Sequence, residues 1–300
     1  MSILKTRWIW FSIFILLLVA SITALATWKL KPGIDFAGGA LIVYKYDAPV
    51  SSDTIQKAIT DAKLPDATVQ LTTDQKTANV RTTTLNQDQQ KQLETILSQV
   101  GKGSEQQLQN VGPTIGKDLT NKAIIGVSLA ILGILLYVAW AFRSVPKPLS
   151  PWQFGLAAVL TLAHDVLFVL GLFAVLGHFK GYTVDSYFIT ALLTVMGFSV
   201  HDTIVVFDRI RENMLRHREW PLQTIFDTSI AQTIARSINT SMTALIVLIA
   251  LLVLGGDSIR PFLIALVAGI GVGTYSSIFV ATPLLPVLAT KRQNADERSK

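Results

Sequence analysis

The chain has 300 residues, of which 50% are hydrophobic and only 15% charged, with mean hydropathy +0.46 and no cysteine. That is too apolar for a soluble protein of this length, and the missing thiols exclude a disulfide framework or a thiolate metal site. The net charge of +6 would suit a nucleic-acid partner, but its distribution along the chain argues for membrane topology instead.

Six apolar runs, at about 8–27, 123–142, 154–177, 187–207, 237–254 and 261–289, have the length a tilted helix needs to cross a bilayer. The fold class is therefore a polytopic α-helical membrane protein with six transmembrane helices. The predicted division is 1–27 for the cytoplasmic N-terminus and first helix, 28–120 for an extracytoplasmic domain, 121–290 for helices two to six, and 291–300 for a cytoplasmic tail. With the N-terminus in the cytoplasm, the cytoplasmic segments hold 13 basic residues against 2 in the short outer loops, Lys180 and Arg260. This asymmetry is the positive-inside rule, and it puts both termini in the cytoplasm. Lys5 and Arg7, the following apolar run and Ala24-Leu25-Ala26 also have the look of a cleavable signal peptide. The run is long for one, so a retained span is expected; cleavage would leave five spans with the same topology.

After the first span comes Gly33-Ile34-Asp35-Phe36-Ala37-Gly38-Gly39, whose glycines permit a tight turn and so a hinge between membrane and outer domain. It lacks the Lys-Ser/Thr ending of a P-loop, and nothing else in the chain indicates ATP hydrolysis, a cofactor or an enzyme. Residues 40–46 are rich in strand formers; Ser51 or Ser52 can cap a helix to about Lys63, with Ile55 and Ile59 on one face. Val69 with Leu71, and Ala78 with Val80, alternate with polar residues around a turn near Asp74. A helix over about 86–100 places Leu93, Ile96, Leu97 and Val100 at helical spacing, and a strand over 105–111 completes β-α-β-β-α-β. That order predicts a small α+β ferredoxin-like domain.

His164-Asp165 lies about midway along the third span, with Thr161 one turn earlier. Ionisable side chains at that depth are costly. They serve either a proton relay or a hydrogen bond that ties helices together. The fourth span ends in Gly197-Phe198-Ser199-Val200-His201-Asp202-Thr203-Ile204 and then turns densely charged. An acid inside hydrocarbon costs roughly 2.5–3.5 kcal/mol on insertion scales and marks a candidate functional site. Ser199 and Asp202 share a face, while His201 points about 100° away. A protonated acid is cheap to bury and a charged one is not, which suits a reversible proton carrier; the alternative is a structural acid bonded to a neighbouring helix.

Between spans four and five, Pro221 suits a first helical turn, and Ile225, Phe226, Ile230 and Ile234 form an apolar stripe. A separate helix along the inner membrane face is expected there. Arg236, Asn239, Thr240 and Thr243 then make a polar stripe leading into span five. It either holds water and meets a carboxylate, or Arg236 snorkels to the interface. In span six, Gly269, Gly271 and Gly273 with Ser276 and Ser277 favour close helix packing. The four histidines and the acids form no metal-ligand pattern, so no metal is expected.

Over nearly its whole length the chain resembles the SecF family, the membrane subunits of the bacterial SecD–SecF export complex, within the RND superfamily. The resemblance rests on Gly33–Gly39, His164-Asp165-Val166, Gly197–Asn213, and Arg236-Ser237-Ile238-Asn239-Thr240-Ser241 running on to Gly255-Gly256. It implies six spans as one pseudo-symmetric half, with SecD as the other. It further implies a proton-motive-force-driven accessory factor at the SecYEG channel, in the bacterial cytoplasmic membrane. That factor would promote late-stage translocation and release of a preprotein as its outer domain moves. Asp202 matches the family's intramembrane acid and Arg236 its key arginine. The chain departs at His201, where many members carry Asn, which puts a titratable imidazole beside the acid.

Proton coupling is thus expected at Asp202, Arg236, His201, Asp165 and His164, with Na⁺ as the alternative ion. Gly33, Asp35, Gly38 and Gly39 form the hinge motif, and Ser199, Asn239, Thr240 and Thr243 form a separate polar stripe in the membrane. The competing readings are an RND-type proton-coupled transporter subunit for small molecules, and a non-catalytic membrane scaffold whose polar residues only join helices.

Overall fold

The computed structural model describes residues 4–62, 64, 67–72 and 74–288. The expected tail at 291–300, and Lys63 at the predicted end of the first domain helix, lie outside the described residues. The chain divides into two compact units: Lys31–Ile125 with Thr183–Ser186, and Met1–Leu30 with Gly126–Tyr182 and Tyr187–Lys300.

The smaller unit holds α2 (Ile34–Ala37), β1 (Gly39–Tyr46), α3 (Ser52–Asp61), β2 (Ala67–Leu71), β3 (Thr77–Thr82), α4 (Gln87–Val100) and β4 (Gly103–Val111). Its four strands form one sheet in the order β2-β3-β1-β4, every neighbouring pair antiparallel. With two helices between them, this is the ferredoxin-like arrangement. Local chemistry fixes the helix starts. Ser51 Oγ accepts from Asp53 N at 3.3 Å, and a capping box joins Asn86 to Gln89 at 2.8 and 3.0 Å. The alternation in β1 sends Ile42, Tyr44 and Tyr46 to one face, where they pack with Val80, Ile55, Ile59, Leu93 and Leu97. Asp74 closes the β2–β3 turn by accepting from Thr72 Oγ1 (2.5 Å) and Lys76 N (3.0 Å). Those donors, the Thr72 hydroxyl foremost, hold its carboxyl below the usual range.

The larger unit is helical: α1 (Arg7–Trp28), most of α5 (Pro113–Ala141), α6 (Pro151–Lys180), α7 (Ser186–Arg216), α8 (Leu222–Leu254) and α9 (Arg260–Ser276). A π-helical turn over Ser277–Ala281 continues α9 towards Leu288. Among the described residues six helices are long and apolar enough to cross a membrane. Their burial sorts them. In α6, α7 and the last span, 50%, 50% and 61% of the apolar stretch is buried, against 11% in each of α1, α5 and α8. The first three are the centre of the bundle, and side chains such as Leu16, Leu129 and Val253 on the others are exposed on its surface.

One expectation is corrected. The segment after Pro221 is not a separate surface helix but the first part of the continuous α8. Its apolar stripe is buried at Ile225, Phe226 and Ile230, and Asn213 Nδ2 at the end of α7 donates to Ser229 Oγ (2.8 Å) and Gln232 Oε1 (3.1 Å). Held at its start, the helix has no reason to bend towards the membrane plane.

Glycine sets how closely α9 approaches α7. A Cβ on Gly269 would fall 2.3 Å from a Val195 methyl, and one on Gly273 would fall 3.0 Å from Ser199 Cβ, whereas Gly271 faces open space. The i, i+4 pair Gly269/Gly273 is therefore the contact surface. The next residues along that helix, Thr274 and Ser276, are carried to Asp202 of α7 and Asp165 of α6.

Candidate functional site

Two buried carboxyl groups stand within the bundle, each held by one hydroxyl from α9 and one from another helix. Asp202 on α7 is 2% exposed. Its Oδ2 accepts from Ser241 Oγ on α8 at 3.0 Å and from Thr274 Oγ1 on α9 at 3.2 Å. These two hydroxyls lie 2.6 Å apart. Both hydrogen bonds fall on one oxygen, and Oδ1 has none among the described residues. Ser241 and Thr274 also line an open groove of about 260 Å³ between α8 and α9, otherwise apolar, with Met242, Leu245 and Phe279 among its walls.

Asp165 on α6 is fully buried. Its Oδ2 accepts from Ser199 Oγ on α7 and Ser276 Oγ on α9, both at 2.7 Å, and its Oδ1 lies 3.0 Å from His164 Nδ1. The His164 ring stacks on Phe14 of α1, centroids 3.9 Å apart, and its Nε2 is buried without a hydrogen-bond partner among the described residues. Between the two acids, Thr203 Oγ1 donates to Ser277 Oγ (2.8 Å), and Ser277 Oγ donates to the Ser199 carbonyl (2.9 Å). One short stretch of α9 and its continuation thus touches both carboxylate clusters.

The sequence-predicted residues divide accordingly. Asp202, Asp165, His164 and Ser199 are buried and belong to these clusters. His201, Arg236, Asn239 and Thr243 are exposed on the bundle surface and Thr240 is half-buried. Arg236 makes no ion pair among the described residues. The inward face of α8 at this level is the i, i+4 pair Ser237/Ser241, about a quarter-turn or more from the Arg236 stripe. Ser241, Thr274, Ser276, Ser277 and Thr203 escaped the sequence reading as site residues. For all but Thr203 the one signal was the dense Ser/Thr content of 237–243 and 274–277. Thr161, noted beside His164, instead donates to the carbonyls of Ala157 (2.9 Å) and Ala158 (3.0 Å) on its own helix.

The glycine motif lies in the smaller unit and is tied down at several points. Gly33 N donates to the Val184 carbonyl (2.6 Å), and Asp35 Oδ2 accepts from Ser186 N (2.9 Å), the first residue of α7. Gly38 and Gly39 adopt φ +74° and +130°, and a Cβ on Gly39 would lie 2.5 Å from the Thr82 carbonyl of β3. Gly39→Ala is accordingly expected to destabilise the smaller unit by roughly 2 kcal/mol, through both the strained φ and the displaced first rung of β1–β3. Hydrogen exchange in the full chain checks it, as lost protection at the β1 and β3 amides; native protection would contradict it.

Fold and site define a multi-pass helical membrane protein with ionisable groups enclosed in its bundle. Residues 92–291 match the family described as protein export membrane protein SecD/SecF, C-terminal, and residues 23–50 match the SecD/SecF GG motif. The protein translocase subunit SecF of Thermobaculum terrenum is 40% identical, over 95% of this chain and 92% of its own length. That of Pseudomonas aeruginosa is 37% identical, over 91% and 87%. The chain belongs to the SecD/SecF family, and these relatives are SecF subunits. The crystal structure of SecDF from Thermus thermophilus superposes with TM-score 0.85 at 33% identity, over 97% of this chain. The chain spans 39% of that one's length. A second SecDF structure, in the super-membrane-facing form, gives TM-score 0.71 at 31% identity.

Proposed function

We propose that this chain is the SecF-type half of a proton-driven export factor that joins a SecD-type partner and promotes late-stage translocation and release of a preprotein at the SecYEG channel. The observation that carries this reading is Asp202, a carboxyl buried in the bundle with one oxygen held by two hydroxyls and the other open to receive a proton. Asp165 with His164 is the second ionisable pair of the same coupling path. The fraction of the SecDF chain that this one spans supports a partner for the remainder. Under this reading residues 28–120 face the outside of the cytoplasmic membrane, both termini face the cytoplasm, and the Gly33–Gly39 turn is the hinge through which helix movement reaches the outer domain.

The test reconstitutes this chain with its SecD-type partner and SecYEG in vesicles and imposes a proton gradient, or in a second arm a Na⁺ gradient. Faster release of a preprotein under the proton gradient, with acidification reported by an enclosed dye, is the expected result. A response to Na⁺ alone would reassign the ion, and no response to either would discard ion coupling and leave the scaffold reading. Arg236, exposed on α8 in the isolated chain, is available to the partner. Arg236→Lys is expected to lower gradient-driven release several-fold, because a planar guanidinium makes paired hydrogen bonds that an ammonium does not. Normal release in that variant would assign Arg236 to interfacial snorkelling.

A further inference from the structure

Two hydroxyls reach the Asp202 carboxylate and also reach each other, and one of them has a further acceptor on its own helix. Thr274 Oγ1 lies 3.2 Å from Asp202 Oδ2, 2.6 Å from Ser241 Oγ and 2.9 Å from the carbonyl of Ile270, one turn back on α9. A threonine hydroxyl has a single hydrogen, so these three acceptors compete for it. When the carboxylate is charged it is the strongest acceptor present, and the donors run Thr274 to Ser241 to Asp202. When the carboxyl carries a proton the same atoms support the reverse order: Asp202 donates to Ser241, Ser241 to Thr274, and Thr274 to the Ile270 carbonyl. Each hydroxyl hydrogen has an acceptor in both states, and only the direction changes.

Resting on the proton-coupled reading above, we propose that Thr274 is a positioning residue that reads the protonation state of Asp202 and converts it into a hydrogen bond on the α9 backbone. The protonation itself is simple. A hydronium in water admitted to the site gives its proton to a carboxylate oxygen, one O–H bond forms, a neutral water departs, and the hydroxyls rotate without any other bond breaking. A threonine bonded to the carbonyl four residues back bends a helix. Three residues after Thr274 the helix passes into the π-helical turn Ser277–Ala281, a wider turn of the kind often found at functional sites. Ser277 donates in turn to Ser199, whose hydroxyl holds Asp165. A bend set at Thr274 therefore has a route to the second acid. The titratable groups on the surrounding elements are His164 and Asp165 on α6, His201 on α7, Arg236 on α8 and Tyr275 on α9. None of them is hydrogen-bonded to the Asp202 carboxyl among the described residues.

The experiment uses the complex with its SecD-type partner in lipid vesicles. The infrared carboxyl band that Asp202→Asn removes is titrated with pH in the native protein and in Thr274→Ser, Thr274→Val and Ser241→Ala. Thr274→Ser keeps the hydroxyl and is expected to titrate at the native midpoint. Thr274→Val keeps the shape and loses the hydroxyl; the apparent proton affinity is expected to change about three- to tenfold, the size of one hydrogen bond. A native midpoint in Thr274→Val overturns the proposal. If that variant does not assemble, Ser241→Ala, which breaks the same chain, decides by the same measure. The absence of any titrating band lost in Asp202→Asn would instead overturn the proton reading, so the two failures are told apart.

Discussion

Asp202→Asn is expected to fold and assemble like the native chain while gradient-driven release falls to the level seen without a gradient. Asparagine has the outline of aspartate, and its amide oxygen can accept from Ser241 and Thr274 as Oδ2 does at 3.0 and 3.2 Å. Stability should change by no more than ~1 kcal/mol, since the accepted bonds survive and a neutral group is easier to bury than a charged one. What the amide cannot do is gain and lose a proton. Thermal unfolding in detergent and co-purification with the SecD-type partner check the first half; release kinetics with and without the gradient check the second. The scaffold reading predicts the opposite, because a scaffold needs the hydrogen bonds and not the charge. Full gradient dependence in this variant would therefore remove Asp202 from the coupling path.

The six spans were legible because hydrocarbon imposes a length, and a run of apolar residues states it directly. Their ends were not. The apolar run of α5 begins near 123, yet the helix begins at Pro113, because polar residues outside the hydrocarbon go on making helical hydrogen bonds without raising hydropathy. The same blindness separated 222–235 from the rest of α8. The small domain was readable from alternation in β1 and β3 and from capping residues such as Asn86, since those signals are local. At the site, the acids announced themselves, because a carboxyl in an apolar run is rare whatever surrounds it. The hydroxyls that hold them did not. A serine or threonine in a membrane helix can satisfy itself on its own backbone, as Thr161 and Ser21 do, so its presence says nothing about a neighbour. Which hydroxyls face a carboxylate depends on how close α9 comes to α7, and that follows from the Gly269/Gly273 spacing rather than from the hydroxyls themselves.

Asp165→Ala is expected to cost about 3–5 kcal/mol and to lower the amount of assembled protein sharply. The carboxylate is fully buried and takes hydrogen bonds at 2.7 Å from both Ser199 and Ser276, with His164 Nδ1 at 3.0 Å. Without it Ser276 can fall back on the Gly273 carbonyl, 3.1 Å away on its own helix. Ser199 Oγ loses its carboxylate acceptor, and His164, whose Nε2 already lacks a partner among the described residues, is left with both ring nitrogens unpaired in a buried position. Each such group costs ~1–3 kcal/mol, and the cavity adds to the sum. Asp165→Asn separates this anchoring from charge. Its amide oxygen can accept from both serines, and its NH₂ can donate to Nδ1 of the matching His164 tautomer, so it is expected to stay within about 1.5 kcal/mol of native. If Asp165 lies on the coupling path, that stable variant still loses part of its gradient-driven release. Native release from a well-folded Asp165→Asn would show that the His164–Asp165 pair fastens α6 to α7 and α9 and leaves proton movement to Asp202.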